Sequence, residues 1–316
     1  MKNIHKSITE LIGNTPLLEL VQFEKREHVP ATILAKLEYF NPTNSTKDRI
    51  AAGMIEAAER EGKITPGGTF AETTSGNTGI GLAALAAAKG YHFRAYIQDF
   101  VSKERKQVIR AYGAELINMG DVPEAKKALD ESNGDFVAAT AAVKEKLAKE
   151  NIFVIDQMHN PANPSSHYET TGKEIWRDTG GHVDILVACV GTGGTLSGTG
   201  NYLKKKNKHI HIVAVEPRAD ERDITGVHRF SDVDPKHFPA NLDTTVYNEV
   251  ITASTKDAYE AARKAASSDG ILVGVSSGAA LWAAQVVASR PENKGKNIVV
   301  IMPDTGLRYL STPLFE

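Results

Sequence analysis

The chain lacks the features of several protein classes. It has one cysteine, Cys189, among 316 residues, so an internal disulfide is excluded. Within the apolar run DILVACV, that cysteine is predicted to be a small buried side chain. No apolar run is long enough for a membrane span, and the N-terminal segment lacks a signal-peptide pattern. The ten histidines show neither H-E-x-x-H nor Cys-paired spacing, so no metal site is predicted.

Charge of one sign is not in excess either. The 37 Lys and Arg residues nearly balance 39 Asp and Glu residues, and the formal net charge is -2. Because this balance implies no basic surface, nucleic acid is not an expected partner. A membrane is not an expected partner either. We expect a cytoplasmic protein.

Short β-rich segments alternate with Ala-rich helical segments along the chain. ATILAKLE, GGTFAETT and VDILVACV have the composition of buried strands, and a helical segment follows each of them. This alternation is typical of an α/β fold whose parallel sheets are covered on both faces. We predict two doubly wound domains with parallel-rich central sheets, and an active site in the interdomain cleft at the carboxyl ends of the strands. The smaller domain is expected at 41–157, and the larger at 1–40 plus 158–316.

Three segments carry finer structural predictions. SHYETTGKEIWRDTG, residues 166–180, predicts a single helix, and ILVGV, residues 271–275, predicts a strand. Residues 218–245 are polar and irregular. A loop of that length inside a compact domain is usually functional.

Lys47 stands in the first turn of a predicted helix. Ser45 can cap this helix, and Asp48 lies near the capping-box position. An ammonium group there faces the positive end of the helix dipole, which is unfavourable. The same position lowers a lysine's pKa, and a neutral amine can form an imine with an aldehyde. Taken alone, Lys47 is either a solvated surface residue or a nucleophile.

Three strand-to-helix junctions carry possible binding groups. ETTSGNTGI, from Glu72, offers hydroxyls and N–H groups that suit an anion. VGTGGTLSGTG, from Val190, is a glycine loop that can cradle a phosphate, although Leu196 and Thr199 break the dinucleotide and Walker A patterns. GVSSGAA places Ser276 at a strand end, where its hydroxyl can reach a ring nitrogen. Each junction alone is also compatible with capping or close packing.

The lysine and the junctions together point to one cofactor. Pyridoxal 5′-phosphate (PLP) carries an aldehyde and a phosphate, and its amino-acid substrate brings a carboxylate. Lys47 would hold the aldehyde, the glycine loop the phosphate, and the first junction the carboxylate. We therefore predict PLP as cofactor and a small amino acid as substrate.

The same motifs resemble those of a known family. NPTNSTKDR resembles the lysine motif of the cysteine synthase and cystathionine β-synthase family. ETTSGNTG, GTGGT and GVSSGAA resemble that family's other motifs in the same order, and the opening ITELIGNTPLLEL and closing RYLSTPLFE are also similar. The resemblance spans essentially the whole chain. It implies a fold-type II PLP enzyme that forms a homodimer.

The resemblance also implies roles for individual residues. Lys47 forms the Schiff base with PLP, Asn77 contacts the phenolic oxygen, and Ser276 hydrogen-bonds the pyridine nitrogen. The phosphate would be bound by Gly191, Thr192, Gly193, Gly194 and Thr195. The substrate and its carboxylate would be bound by Thr74, Ser75, Gly76, Thr78, Gln157 and Gly226.

The side chain at the pyridine nitrogen of PLP indicates the type of reaction. A neutral serine does not keep the ring nitrogen protonated as an aspartate would. This suits reactions in which a β-substituent leaves as soon as the freed Lys47 has removed the α-proton. An aminoacrylate would form, and a nucleophile would then add at Cβ.

One loop departs from the family pattern. Where the synthases carry a run resembling GIGAGF, this chain has GVHRFSD, residues 226–232, so that His228, Arg229 and Asp232 replace small or apolar residues. If the loop borders the substrate's β-carbon, Asp232 would repel hydrosulfide but could take a proton from water. Cysteine would then yield hydrogen sulfide and serine. In the other interpretation these charges face solvent at the domain rim.

Several functions therefore remain open from the sequence. The leading prediction is β-substitution on cysteine, serine or O-acetylserine in sulfur amino-acid metabolism. Cysteine synthesis from O-acetylserine and sulfide, and cystathionine synthesis, are alternatives within the family. A serine or threonine dehydratase of the same fold would release a keto acid instead. A non-catalytic binding partner is a further alternative, against which the intact Lys47 and Ser276 argue.

Overall fold

The computed structural model describes residues 4–74, 76–98, 101–221 and 224–316. The strands in these ranges are β1 (Leu17–Glu19), β2 (Thr32–Leu37), β3 (Thr69–Thr74), β4 (His92–Ile97), β5 (Glu115–Asn118), β6 (Phe153–Val154), β7 (Ile185–Cys189), β8 (His211–Pro217), β9 (Glu249–Ala253) and β10 (Asn297–Met302). The α-helices are α1 (Val21–Arg26), α2 (Lys47–Arg60), α3 (Asn77–Lys89), α4 (Lys103–Ala111), α5 (Pro123–Glu131), α6 (Phe136–Lys149), α7 (Ala162–Glu169), α8 (Thr171–Asp178), α9 (Gly194–Lys206), α10 (Thr255–Asp269) and α11 (Val275–Ala288).

The strands form two sheets. The larger has the order β1-β2-β10-β7-β8-β9, and the smaller has the order β5-β4-β3-β6. All pairs are parallel except β1 with β2. Parallel strands need crossover connections, which the helices between them provide. The predicted parallel-rich α/β architecture is confirmed.

Each sheet is buried on both faces. In β10, Val300 and Met302 pack into one hydrophobic core, and Val299 and Ile301 pack into another on the opposite face. The alternation follows from the two-residue period of a strand. The smaller sheet likewise separates two cores, which contain Phe70 and its sequence neighbour Ala71 respectively. This is why the strands contain nearly continuous apolar runs.

Two of the finer predictions are wrong. The helix predicted over 166–180 is broken at Thr170, whose backbone leaves the helical region (φ -122, ψ -74) and separates α7 from α8. The Thr170 hydroxyl donates to Ser166 O at 2.6 Å, and Thr170 N donates to the same carbonyl at 3.1 Å, so the break lies in the Thr170 dihedral angles and not in a lost hydrogen bond. The predicted strand at 271–275 is reduced to an isolated bridge between Val273 and Thr305 because α11 begins directly after it.

The start of α2 is fixed on the edge of the larger sheet. Thr46 N donates to Pro303 O at 2.8 Å, and Ser45 forms an isolated bridge with Asp304. Both partners directly follow the carboxyl end of β10. Further along α2, Met54 packs into a core of the smaller sheet. The helix that carries Lys47 thus joins the two sheets at their carboxyl edges. Among the helices in the described ranges, none is long and apolar enough to span a bilayer.

Candidate active site

A cavity at these carboxyl edges brings together residues that are far apart in the sequence. Its lining includes most of the predicted site residues, namely Lys47, Asn77, Thr78, Gln157, Gly191, Thr192, Gly193, Thr195, Gly226 and Ser276. The motifs were expected to meet because the carboxyl ends of parallel strands lie at one edge of a sheet, and the structure brings them into one cavity.

Lys47 is the first residue of α2, and its half-buried side chain lines the cavity. The hydroxyl of Ser45 accepts from Lys47 N at 3.2 Å. Lys47 Nζ forms no salt bridge or hydrogen bond with the residues that the structure describes. Burial lowers the pKa of Lys47, although the charges of Asp304 and Glu38 oppose that shift. A lysine with a lowered pKa and a free amine is equipped to act as a nucleophile.

The glycine loop between β7 and α9 leaves several backbone donors free. The N–H groups of Gly191, Gly193 and Thr195 donate to no acceptor in the described part of the chain. They lie at the N-terminus of a helix, where the dipole favours an anion. Gly194 does not line the cavity. A Cβ there would lie 1.9 Å from Asn163 Oδ1, so this glycine is needed for close packing.

A neutral histidine supports the loop from behind. His167 Nε2 lies 3.1 Å from Thr195 Oγ1, and His167 Nδ1 lies 2.9 Å from Thr171 Oγ1. Burial lowers the pKa of His167 to about 3, so the ring is uncharged near neutral pH. One ring nitrogen then donates and the other accepts. The histidine holds the Thr195 hydroxyl without adding a charge to the cradle.

Gly193→Ala is expected to weaken PLP binding by about tenfold to a hundredfold, the cost of one lost hydrogen bond to a charged group. Gly193 has φ +86, and a Cβ there would lie 2.5 Å from Leu242 N, so the loop must shift. Gly113→Ala is the matched control, since Gly113 has φ +83 with no atom within 4 Å of the added Cβ. Titration of the apoenzyme with PLP compares them. Equal PLP affinities in the two variants would show that the glycine loop does not bind the phosphate.

The first junction supplies a polar pair. The Thr78 hydroxyl donates to Gln157 Oε1 at 2.5 Å, and both side chains line the cavity. Behind them, the buried Glu72 accepts the backbone N–H of Gln157 at 3.0 Å. Burial raises the pKa of Glu72 to about 8. This carboxyl group joins β3 to the segment that follows β6, and so holds the two halves of the junction together.

Other predicted residues of this junction lie outside the cavity lining. The buried Thr74 hydroxyl accepts from Gly76 N at 3.1 Å and from Gly79 N at 3.2 Å, so it supports the start of α3. Gly76 has φ +138, and a Cβ there would lie 2.4 Å from Arg105 Cδ. Ser75 lies outside the described residues, and its predicted role stays a prediction.

Asn77 and Ser276 line the cavity from the starts of two helices, α3 and α11. Asn77 is held by charged groups: its Nδ2 donates to Asp304 Oδ2 at 2.7 Å, and its Oδ1 accepts from Arg308 Nη1 at 2.6 Å. Ser276 is buried, and its carbonyl accepts from Cys189 Sγ at 3.2 Å. Burial raises the pKa of that thiol, so it stays protonated.

The loop 226–232 contributes a different residue from the one predicted. Gly226 and His228 line the cavity, whereas the Asp232 side chain is 92% exposed and lies 3.6 Å from Arg229 Nη2. Arg229 is in turn paired with the buried Glu216 at 3.1 Å, which keeps this end of the loop at the rim. The structure thus does not bring Asp232 together with Lys47. Its role as a base stays a prediction.

Comparison with known proteins decides the family. Residues 8–304 match the model of the family described as pyridoxal-phosphate dependent enzymes. This chain belongs to that family. The PLP-dependent enzyme is 43% identical over 314 residues to a cysteine synthase from Staphylococcus aureus, with 98% of this chain and 97% of the relative covered.

Solved structures agree with this assignment. A cysteine synthase from Entamoeba histolytica superposes with a TM-score of 0.86 and 38% identity, covering 99% of this chain and 91% of that one. A hydrogen sulfide-producing enzyme from Fusobacterium nucleatum gives 0.85 and 36%, covering 98% and 99%. The predicted family, fold class and cofactor are confirmed.

The groups that line the cavity of the PLP-dependent enzyme match the chemical groups of its cofactor. The free amine of Lys47 suits the aldehyde, and the free N–H groups of the glycine loop suit the phosphate. The neutral hydroxyl of Ser276 and the amide of Asn77 are the polar groups of the lining that suit the ring nitrogen and the phenolic oxygen.

Sequence reasoning missed several residues around this cofactor site. Arg105 lines the cavity, and Asp304 and Arg308 hold Asn77, whereas His228, noted above only as a departure from the family loop, also lines the cavity. One signal was available: MPDTGLRY follows a strand of the same sheet, so its residues had to lie at the same carboxyl edge. Arg105 carried no local signal, because SKERK also reads as an ordinary exposed helix start.

Proposed function

We propose that this PLP-dependent enzyme catalyses β-substitution on cysteine, serine or O-acetylserine. The observation that carries the proposal is the free Lys47 amine in one cavity with a phosphate-type cradle and the Thr78–Gln157 pair. The cradle suits the cofactor's phosphate, and the pair suits a substrate carboxylate. The names of the relatives, cysteine synthases and a hydrogen sulfide-producing enzyme, support sulfur amino acids as substrates.

Lys47 carries the proton transfers in this proposal. Bound PLP supplies the electron sink that makes the α-proton of an amino acid acidic. Lys47 Nζ, uncharged once released from the cofactor, takes that proton and later returns it. The neutral Ser276 adds no charge at the ring nitrogen, which favours prompt loss of a β-substituent over prolonged stabilisation of a carbanion.

The proposal includes an assembly and a domain division. Residues 41–157 form the smaller domain, and 1–40 plus 158–316 form the larger, PLP-phosphate-binding domain. The enzyme acts as a homodimer, as the family resemblance implies, and it acts in the cytoplasm, as the lack of a signal-peptide pattern indicates. Light scattering of the purified holoenzyme measures the mass, and a monomer would refute the dimer.

A residue of the loop 226–232 supports release of sulfide from cysteine over its capture. His228 is the side chain of this loop that combines an ionisable group with a place in the cavity lining. The His228 side chain is exposed to solvent, yet desolvation by the surrounding protein, followed by the nearby charge of Lys47, lowers its pKa. A neutral imidazole in the cavity can take a proton from water as it adds to Cβ. We therefore propose that cysteine gives hydrogen sulfide and serine, with His228 and Asp232 as the two candidate bases.

A product assay tests this direction. The holoenzyme is given cysteine, serine or O-acetylserine, each with and without sulfide, and sulfide, serine, cysteine and keto acid are measured. The proposal predicts sulfide and serine from cysteine. Cysteine formed from O-acetylserine and sulfide as the faster reaction would favour a cysteine synthase, which the Staphylococcus aureus relative supports. Keto acid as the main product would favour a dehydratase.

Paired variants identify the base. His228→Asn should lower serine formation from cysteine by about 10²–10⁴-fold, the usual contribution of general-base catalysis. Sulfide release in the first turnover should persist, because Lys47 starts that step. Asp232→Asn should match the parent if its carboxylate stays at the rim. If Asp232→Asn lowered serine formation and His228→Asn did not, Asp232 would be the base. Parental rates in both variants would show that neither residue acts as the base.

A further inference from the structure

The Asn77 amide is held between two groups of opposite charge. Asp304 Oδ2 accepts from its Nδ2 at 2.7 Å, and Arg308 Nη1 donates to its Oδ1 at 2.6 Å. A carboxylate only accepts hydrogen bonds, and a guanidinium group only donates them. Turning the amide over would set two acceptors against each other on one side and two donors on the other. The charges therefore select one amide orientation.

Both charged groups are themselves fixed. Asp304 is fully buried, and its Oδ2 also accepts from the Tyr309 hydroxyl at 2.7 Å. A Cβ on Gly274 would lie 2.1 Å from Asp304 Oδ1, so the start of α11 packs directly on this carboxylate. Arg308 is 7% exposed and also donates to the carbonyl of Thr43. Asp304 Oδ1 is buried without a hydrogen-bond partner among the described residues, so Oδ2 carries the hydrogen bonds of this carboxylate and is fixed by Asn77 and Tyr309.

The ring of Tyr309 extends the same cluster. The guanidinium carbon of Arg105 lies 4.7 Å from the ring centroid, in cation–π geometry. Asp304, Arg308 and Tyr309 follow the last strand of the larger sheet, whereas Asn77 and Arg105 belong to the part of the chain that carries the smaller sheet. The cluster therefore crosses the cleft in which the cofactor binds.

We infer that Asp304 and Arg308 are positioning residues that orient the Asn77 amide so that its second N–H faces the cavity and donates to an oxygen of bound PLP. The inference rests on the proposed function and on the family resemblance, which implies that Asn77 contacts the cofactor's phenolic oxygen. One N–H of Asn77 is used by Asp304, and the other remains for the ligand. The reversed amide would present its carbonyl to an electron-rich oxygen and repel it.

The test compares Asp304→Ala with a control that loses a different hydrogen bond to the same oxygen. Tyr309→Phe removes the hydroxyl donor to Asp304 Oδ2 but leaves Asn77 and Arg308 in place. For each variant we measure the melting temperature of the apoenzyme, its affinity for PLP, and the visible spectrum of the holoenzyme. The inference predicts about tenfold to hundredfold weaker PLP binding and a changed spectrum in Asp304→Ala alone. Parental affinity and spectrum in Asp304→Ala, or equal changes in Tyr309→Phe, would overturn it.

A charge exchange provides a second, independent arm. Asn77→Asp sets two carboxylates against each other, and adding Asp304→Asn restores a donor–acceptor pair while Arg308 keeps its acceptor. The double variant should regain the apoenzyme melting temperature that the single variant loses, yet bind PLP as weakly as the single variant because no N–H faces the cavity. A double variant that recovers PLP affinity, or fails to recover the melting temperature, would contradict the inference. Attachment of PLP to Lys47 in the parent is checked separately, so failure of the proposed function is distinguishable.

Discussion

Lys47→Ala is expected to abolish covalent attachment of PLP and to lower β-substitution by at least about 10²–10⁴-fold, the usual contribution of one general acid–base group. The protein should stay folded, because Lys47 Nζ has no hydrogen bond or salt bridge to lose among the described residues. Removing a partly buried, unpaired amine also removes its desolvation cost. The visible spectrum measures PLP attachment, the turnover measures β-substitution, and the melting temperature measures folding.

The control is a lysine with the same chemistry in a different environment. Lys25 lies in the last turn of α1 and is exposed, so Lys25→Ala should leave spectrum, turnover and stability as in the parent. If Lys47→Ala also retained its spectrum and turnover, Lys47 would be an ordinary lysine and the site would have to lie elsewhere.

Arg49→Met is expected to lower the free energy of unfolding by about 3–5 kcal/mol, the usual result of removing one partner from a buried ion pair. Arg49 Nε lies 2.6 Å from Glu38 Oε2, and Arg49 Nη1 lies 2.7 Å from Glu174 Oε1. Lys36 Nζ remains 2.8 Å from Glu174 Oε2, so the uncompensated charge in the variant is chiefly that of Glu38. Urea unfolding of parent and variant measures the difference.

The stability loss should depend on pH in a defined direction. In the parent, burial alone would raise the pKa of Glu38, but the charge and hydrogen bonds of Arg49, together with the charge of Lys36, outweigh burial and lower that pKa. A depressed folded pKa contributes stability above the unfolded pKa, and that stability is lost as pH falls through the folded value. In Arg49→Met, acid instead neutralises the unpaired carboxylate. The stability difference should therefore shrink as pH falls below about 5.

A surface arginine serves as the control for this network. Arg94 pairs with Glu115 at 2.8 Å and with Glu150 at 3.1 Å, and all three side chains are substantially exposed to solvent. Arg94→Met should cost no more than about 1 kcal/mol, as exposed ion pairs do. Equal losses in the two variants would show that the Arg49 network is no stronger than a surface pair.

The Arg49 network also helps to hold the reactive lysine in position. Arg49 follows Lys47 by two residues in α2, and its partner Glu38 directly follows β2 of the larger sheet. The network thus anchors the first turn of the helix whose first residue is the reactive lysine. Partial unfolding of Arg49→Met should reduce PLP retention before the rest of the chain unfolds, because α2 loses this anchor first.

The sequence predicts what depends on local pattern. The glycine loop and the junctions around Thr78 and Ser276 lie at the carboxyl ends of buried strands, and parallel strands bring those ends to one edge. The end of α3 also follows from a local signal, since Gly90 adopts the left-handed conformation (φ +74) that ends the helix. Each prediction needed only neighbouring residues and one topological rule.

The failures concern contacts between distant segments. Asp304 holds Asn77 across 227 positions of the chain, and no periodicity signals such a pair. The sequence left Asp232 either near the substrate or at the rim, and the choice depends on a distant contact: Arg229 pairs with Glu216, and the Asp232 carboxylate lies at the rim. The break at Thr170 is a change in the backbone dihedral angles of one residue, which composition does not reveal.

Borohydride reduction followed by peptide mapping locates the lysine that bonds to PLP. Reduction fixes PLP permanently to the amine with which it is bonded, and mass spectrometry of the digest locates the added mass. The label is expected on Lys47, the first residue of the helix Lys47–Arg60, and no label is expected in Lys47→Ala. A label on any other lysine, or a parent holoenzyme without a label, would contradict the assignment of this cavity as the active site.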